Sequence, residues 1–458
     1  MPKTKENKGI TLIALIITII VLLILAGVTI SAISGNESVL EKAKQAKNRT
    51  DAANLKEQIQ LAVINAYANN GTGTIDINSL KTNLENEGIT VTNDYMPAQV
   101  EINGEYYVVD NAGKAAKCKI PEGFVASQAT GENTIAGGLV IYEGTETVTD
   151  TNVATARTTR NQFVWVPVED AGLTFAQDHT YDSKHQYEYT NYTDWDDEIG
   201  KSNKTSVEKY GGFYIGRYEA GWPDINQELV ENSATNVAYS AKNNNAKIPV
   251  MKKGYAAWDL VSQTTAKTVS ENLYKNSSTI TNVKSQLIDS LAWDTTVNWL
   301  KQSGIVKEET NGKIKSTDYG NYIDSTFGIT NVLYAPQKWN SSTSSWSWAS
   351  NYRVGSLTNV ARSANKNSDT EYIKPSLSLG ATDATKTNNI YDLAGNLWEW
   401  TTEEGKHNAN GNTFAVLRGG GGFGSEGSVL PVVYRSGSTQ VGYSGAVSFG
   451  FRPVLYLQ

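Results

Sequence analysis

The sequence predicts an α+β protein. A transmembrane helix, a helical stalk and a small β unit come first, and a loop-rich domain of short strands with few helices follows. Three observations carry this. Ile10 to Ile33 contains no charged residue. Residues 38–69 are rich in Ala, Lys, Glu and Leu, with apolar residues at helical spacing. Beyond Ile120 the content of Trp, Tyr, Gly, Asn and Ser rises, and strand-like runs alternate with polar loops.

Composition excludes several kinds of chemistry. The 458 residues carry 40 Lys+Arg against 47 Asp+Glu, a net charge of -7. With no basic block, general nucleic-acid binding is not expected, because it needs a cationic footprint to neutralise phosphates. One cysteine, Cys118, rules out an intrachain disulfide framework, an iron–sulfur cluster and a Cys-rich zinc module. Cys118 could pair between chains or stand as an incidental free thiol. His179, His185 and His407 are scattered and leave little for a transition-metal centre.

At the N-terminus, roughly 20 residues span the hydrocarbon core of a bilayer, and the run from Ile10 is long enough to cross. A cleaved secretory signal has a shorter apolar region. Lys3, Lys5 and Lys8 precede the run and Glu37 follows it. By the positive-inside rule the N-terminus is cytoplasmic and the remainder is exported, which gives a single-pass membrane protein with an extracellular head. A simple anchor satisfies this pattern. Lys8-Gly9 followed at once by Ile10-Thr-Leu-Ile also resembles the leader junction of type IV prepilins. That resemblance implies a leader at 1–9, cleavage between Gly9 and Ile10 by a prepilin peptidase, and pilus or secretion assembly as a partner. The family's usual Glu at the fifth mature position is Ala14 here. A membrane-buried carboxylate that would pair between subunits is therefore missing.

After the span at 10–33, residues 34–70 read as the stalk. Leu40, Ala43, Ala52, Leu55, Ile59, Ala62, Ile64 and Ala66 give an approximate stripe, and Asn69-Asn70-Gly71 supplies a stop. A pilin-like subunit and a surface helix packed on the next domain both fit. Residues 71–118 read as a small β unit. In it, Gln99 to Val109 places alternating apolar residues around Asn103-Gly104, which suits a type I′ hairpin. Phe163–Val168 and Phe213–Tyr218 read as strands, and Ile288–Leu300 as a helix. Trp339–Tyr352 reads as an aromatic-rich loop.

The C-terminal part carries the most chemistry. Asp392, Asn396 and Glu399 bring three oxygen-bearing side chains together around a glycine turn. Such a turn can hold a hard cation, and it can equally hydrogen-bond its own backbone. Arg418, Arg435 and Arg452 can stack on aromatics or pair with buried carboxylates.

The ordered set Gly395-Asn-Leu-Trp-Glu-Trp-Thr401, Arg418-Gly-Gly420, Tyr434-Arg435 and Gly450-Phe-Arg452 resembles the formylglycine-generating, or sulfatase-modifying factor, family. Phe163–Val168, Gly212–Ala220 and Leu291–Leu300 are similar to its early strands and helix. The resemblance implies a C-type-lectin-like fold over 119–458. It also implies a structural Ca²⁺ at Asp392, the carbonyls of Gly395 and Leu397, and Glu399. The family's enzymes use two cysteines after the Arg-Gly-Gly motif, and a related branch holds iron with three histidines. Gly419 to Arg435 contains no cysteine, and thiolate chemistry needs the thiol. Copper and iron are not expected, no catalytic residue is assigned, and the chain is read as a non-enzyme.

Relatives of this fold bind ligands through the stretch between Arg-Gly-Gly and Gly-Phe-Arg. Here that stretch is rich in Tyr, Ser and Gly, as adaptable binding surfaces are. Phe423, Tyr434, Gln440 and Tyr443 are its candidate contacts. The expectation is a membrane-anchored, pilin-like surface protein whose non-catalytic head binds an extracellular glycan or protein. Its alternatives are an oxidoreductase-type modifying enzyme of the formylglycine-generating class and a structural minor pilin or pseudopilin.

Overall fold

A computed structural model describes residues 39–70, 75–178, 191–192, 198–223, 244–259, 261–308, 314–322, 325, 337–340, 345–348, 366–368, 371–373, 377–406, 413–421, 431–438 and 449–458. Gly9, Ile10, the apolar run 10–33, the three histidines, Phe423, Gln440 and Tyr443 lie outside these residues. Among the described residues no helix is long and apolar enough to cross a membrane. The chain divides into two compact units, Met1–Ile64 and Asn65–Gln458.

A helix runs from Val39 to Asn70. Ala, Lys, Glu, Gln and Leu dominate it, all strong helix formers. Ile59, Ala62 and Ala66 are buried as the stripe predicts, but Ile64 is 55% exposed. Ile64 follows Ala62 by two residues, a spacing that turns it off the buried face.

The β unit that follows is more than strands. Ile77–Asn86 forms a helix, with Asp76 accepting from the Ser79 amide and Leu80 and Leu84 buried. Strands β1 (Thr90–Val91), β2 (Ala98–Ile102), β3 (Glu105–Val109) and β4 (Ala115–Lys117) then form a sheet in that order. β2 and β3 pair antiparallel from Ala98↔Val109 to Ile102↔Glu105. Asn103 and Gly104 at the tip have φ of 53° and 79°. This is the left-handed pair a type I′ turn requires.

The larger sheet has six strands. They are β5 (Phe124–Ala126), β6 (Val140–Glu143), β7 (Gln162–Pro167), β9 (Gly212–Gly216), β10 (Val283–Leu287) and β21 (Pro453–Leu457); β8 is Asn191–Tyr192. The order is β10-β21-β9-β7-β6-β5. Every adjacent pair is antiparallel, and the last strand of the chain sits inside the sheet, with Val454 opposite Ile215. Alternation along the strands separates two cores. Val164, Val166, Phe213, Ile215, Val454 and Tyr456 enter one. Phe163, Trp165, Tyr214, Leu455 and Leu457 enter the other. Both faces are buried, which is why β7 reads as a continuous apolar run.

Helix Ser290–Gln302 lies in the first core through Leu291, Trp293, Val297 and Leu300. Helix Gln263–Asn272 is capped by Ser262, whose hydroxyl accepts from the Thr265 amide at 3.1 Å. Further strands are β11 (Gln337–Asn340), β12 (Ser345–Trp348), β13 (Lys366–Ser368), β14 (Glu371–Ile373), β15 (Lys386–Thr387) and β16 (Ile390–Tyr391). The expected aromatic loop at 339–352 is therefore a hairpin in part, with Trp339 opposite Trp346. The period-two pattern Ser345-Trp-Ser-Trp348 sits inside a Ser/Asn-rich composition that disguises it.

Cys118 is fully buried, with its Sγ 3.5 Å from the Tyr214 hydroxyl. Burial pushes its thiol well above the usual cysteine range. This is an unreactive core thiol, not one placed for pairing between chains.

Asp289 caps helix Ser290–Gln302. Its carboxylate accepts from the Ala292 amide at 2.7 Å, the Tyr456 hydroxyl at 2.6 Å and the Asn203 amide at 2.9 Å. Burial outweighs these bonds and raises its pKa to about 6. The folded state thus holds a proton that the unfolded chain releases near pH 4. The stability from this group is complete below that range and is lost as pH rises through about 6. Melting temperature measured from pH 7.5 to 5 should rise more in the native protein than in Asp289→Asn. Parallel curves would show that Asp289 does not titrate in this window.

Candidate functional site

The motif residues converge on a second set of strands. β17 (Trp398–Lys406) pairs antiparallel with β18 (Thr413–Arg418) and parallel with β20 (Phe449–Phe451), while β19 (Ser436–Ser438) lies on the far side of β18. β8 pairs with the end of β17.

The turn before β17 is built by its own residues. Asp392, Gly395 and Asn396 all have positive φ, at 54°, 77° and 59°. A Cβ on Gly395 would lie 2.3 Å from the Asn321 carbonyl oxygen, so only glycine fits. The Gly395 amide donates to the Gly419 carbonyl and the Asn396 amide to the Asn321 carbonyl, each at 2.8 Å. The Asn396 side chain is a hub. Its Oδ1 accepts from Asn321 Nδ2 at 2.8 Å and the Leu377 amide at 2.6 Å, and its Nδ2 donates to Glu219 at 2.6 Å. The Leu397 amide donates to the other Glu219 oxygen at 3.1 Å.

Glu399 faces Arg452. The guanidinium donates to its carboxylate through Nε at 3.0 Å and Nη2 at 2.6 Å, and both side chains are fully buried. Arg452 also donates to the carbonyls of Gly216 and Tyr391, each at 3.0 Å. One side chain thus ties β9, β16, β17 and the start of β21 together.

A second network holds Arg418 and Arg435. Arg418 pairs with Asp294 and with Glu403, the latter at 3.3 Å; Arg435 pairs with Asp294 and with Glu403, here at 2.8 Å. Two cations and two anions close a buried square between helix Ser290–Gln302, β17, β18 and the segment before β19. The Asp178 amide adds a bond to Asp294 at 2.9 Å. Low dielectric strengthens these pairs, and each depends on the others for compensation.

Asp392, Gly395, Leu397 and Glu399, the expected calcium ligands, lie at one turn, where Glu399 also pairs with Arg452. Glu219, in the strand region read only as Gly212–Ala220, reaches the same turn. Among the described residues no three His, Cys, Asp or Glu side chains stand as a metal cage. Glu219, Asp392 and Glu399 are buried carboxylates near the Arg452 guanidinium. Burial, followed by the charges of Glu399 and Asp392, pushes Glu219 well above the usual carboxylate range. A charged residue inside the apolar run Phe213 to Ala220 was the sequence signal for it.

Tyr434, an expected ligand contact, lies among the described residues. It is only 9% exposed, and its ring packs edge-on against Trp398 at 5.9 Å between centroids. Gly421 approaches the same indole so closely that a Cβ would stand 2.7 Å from its ring. The Tyr434 ring is thus nearly enclosed beside Trp398, with little of it open to a ligand.

The family model described as the sulfatase-modifying factor enzyme 1-like domain matches residues 331–456. This part of the chain is a sulfatase-modifying-factor-like domain, within a protein of mixed helices and strands. The match covers the last part of the region over which the motifs were expected to extend. No curated protein matches the chain.

Replacing Arg418 by Met leaves Asp294 and Glu403 sharing one guanidinium. Urea denaturation should show a loss of about 3–5 kcal/mol, the cost of a buried charge left without its partner. A loss below about 1 kcal/mol, the size of a surface pair, would contradict the buried square.

Proposed function

We propose that the chain is a membrane-anchored, pilin-like surface protein whose sulfatase-modifying-factor-like head binds an extracellular glycan or protein without catalysis. The observation that carries this is the employment of the motif residues. Glu399, Arg418, Arg435 and Arg452 take part in buried ion pairs that hold the fold, and the chain's one thiol is sealed in the core of the six-stranded sheet. The family's thiol chemistry has no group to perform it. What the sequence offers instead is the Tyr-, Ser- and Gly-rich stretch between Arg418-Gly-Gly420 and Gly450-Phe-Arg452, which leaves the described strands at Gly421, against Trp398, and contains Arg435 in the buried square. The uncharged run from Ile10 to Ile33, after three lysines, supports the anchor.

The test uses full-length protein from membranes. The mature N-terminus should begin at Ile10, and a glycan and cell-surface array should give hits that a Phe423→Ala, Gln440→Ala, Tyr443→Ala variant loses. A retained Met1 would refute the prepilin reading. Stoichiometric copper or iron with oxygen consumption would replace binding by catalysis.

We also propose that calcium stabilises the turn before β17. Asp392, Glu399 and the carbonyls of Gly395 and Leu397 are the expected donors, and Glu219 joins them. Three carboxylates near Arg452 leave negative charge that a hard cation would neutralise, and its role is to rigidify the turn. A calcium chelator should lower the melting temperature, and Glu219→Gln should diminish that drop. An unchanged melting temperature in chelator would assign the missing charge to a proton on Glu219.

A further inference from the structure

We propose that Lys253, Lys386 and Arg157, gathered around the Tyr218–Tyr391 ring pair, form a binding site for an oxyanion such as a phosphate or sulfate monoester. The site lies away from the β17 turn, on the loop at 252–255, the 380–386 loop and the last turn of helix Val153–Thr159.

The cluster has more positive charge than its carboxylates can balance. Glu132, only 1% exposed, is held by Arg157 at 2.6 Å and Arg217 at 2.7 Å, and it accepts from the Tyr142 and Ser127 hydroxyls at 2.8 and 2.9 Å. Asp383 accepts from the Tyr391 hydroxyl at 2.6 Å and lies 3.5 Å from Lys386 Nζ. Both carboxylates are committed. Lys253 has no ion-pair or hydrogen-bond partner for its ammonium among the described residues. Among the described residues four cations, Arg157, Arg217, Lys253 and Lys386, meet two anions, in a chain whose net charge is -7.

The geometry holds this charge in place. The Tyr218 and Tyr391 rings lie 5.0 Å apart, with the Arg217 guanidinium 5.8 and 5.5 Å from their centroids and Lys386 Nζ 6.0 Å from that of Tyr391. Ring faces stabilise the cations without cancelling their charge. At Gly380, with φ of 64°, a Cβ would stand 2.7 Å from the Tyr218 ring and 3.3 Å from Lys253 Cγ. The backbone therefore packs directly on both and fixes the stem of the half-buried Lys253. The Lys253 amide is bonded to the Arg157 carbonyl at 2.7 Å, which fastens this loop to the helix end. Burial, then the charges of Arg157, Arg217 and Lys386, hold Lys253 below the usual lysine range despite Asp383. The side chains of Arg157 and Lys386 are 26% and 33% exposed, so the cluster opens to solvent. A small oxyanion there would accept from Lys253 and Lys386 and neutralise the excess, as charge-assisted hydrogen bonds do.

Full-length protein is titrated with inorganic phosphate and with sulfate at constant ionic strength held by chloride. Isothermal calorimetry and melting temperature are both read. The native protein should bind, and Lys253→Met with Lys386→Met should weaken binding about tenfold or more. Lys253→Arg with Lys386→Arg should retain it, as should a control, Lys81→Met, whose ammonium pairs with Asp94 in the β1–β4 unit. Glycerol phosphate in solution and vesicles of phosphatidylglycerol form two further arms: a response to the first assigns a soluble ester, and a response to the second a lipid headgroup. No response beyond chloride, or equal binding by the Met double variant, overturns the proposal.

Discussion

Arg452 is the constraint on which the head depends. A guanidinium has five fixed donors, and sealing it from water is unfavourable unless nearly all of them are met. Here the carboxylate of Glu399 and the carbonyls of Gly216 and Tyr391 meet them from three different strands. The residues next to Arg452 are Phe451, in the parallel pair with β17, and Pro453, which begins β21. One side chain thus fixes the junction between the six-stranded sheet and the motif strands.

Much of this was legible wherever local pattern and tertiary need agree. Asn103-Gly104 specified its own turn and Phe163–Val168 its strand, while the helix expected from Ile288 begins at Ser290 because Asp289 caps it. The helix Ile77–Asn86 was missed because only Leu80 and Leu84 mark its buried face, too short a stripe to separate from polar loop. The hairpin of β11 and β12 was missed because its short period-two run was read as an aromatic-rich loop. Asn321, Asp294 and Glu219 are partners made by folding alone. Each lies at least 70 residues from the motif residue it serves, and spacing cannot reveal such pairings.

The motif set identified the domain better than it identified any chemistry, and the structure supplies the reason. Gly395 is needed for its approach to Asn321, Asn396 for its left-handed backbone and its four hydrogen bonds, Arg418 for the buried square. Residues of this kind persist in a scaffold whether or not it retains a reaction, since removing any of them breaks packing first. Function must then be sought in groups the scaffold does not employ.

Charge accounting finds those groups more directly than cavity shape does. The square of Arg418, Arg435, Asp294 and Glu403 is neutral, and it closes without anything mobile. Around Asn396, three carboxylates stand near one guanidinium; around Tyr218 and Tyr391, four cations stand near two carboxylates. Buried or half-buried imbalance costs free energy that a folded chain can lower only by changing protonation or by binding a counter-charge. A carboxylate in the first cluster can take up a proton. The second cluster lacks that route in part, because Arg157 and Arg217 do not release protons in the accessible range. Its excess over the two carboxylates lies on the lysines and falls either by loss of a lysine proton or by pairing with a bound anion, which is why this partly open cationic cluster bears on ligand binding.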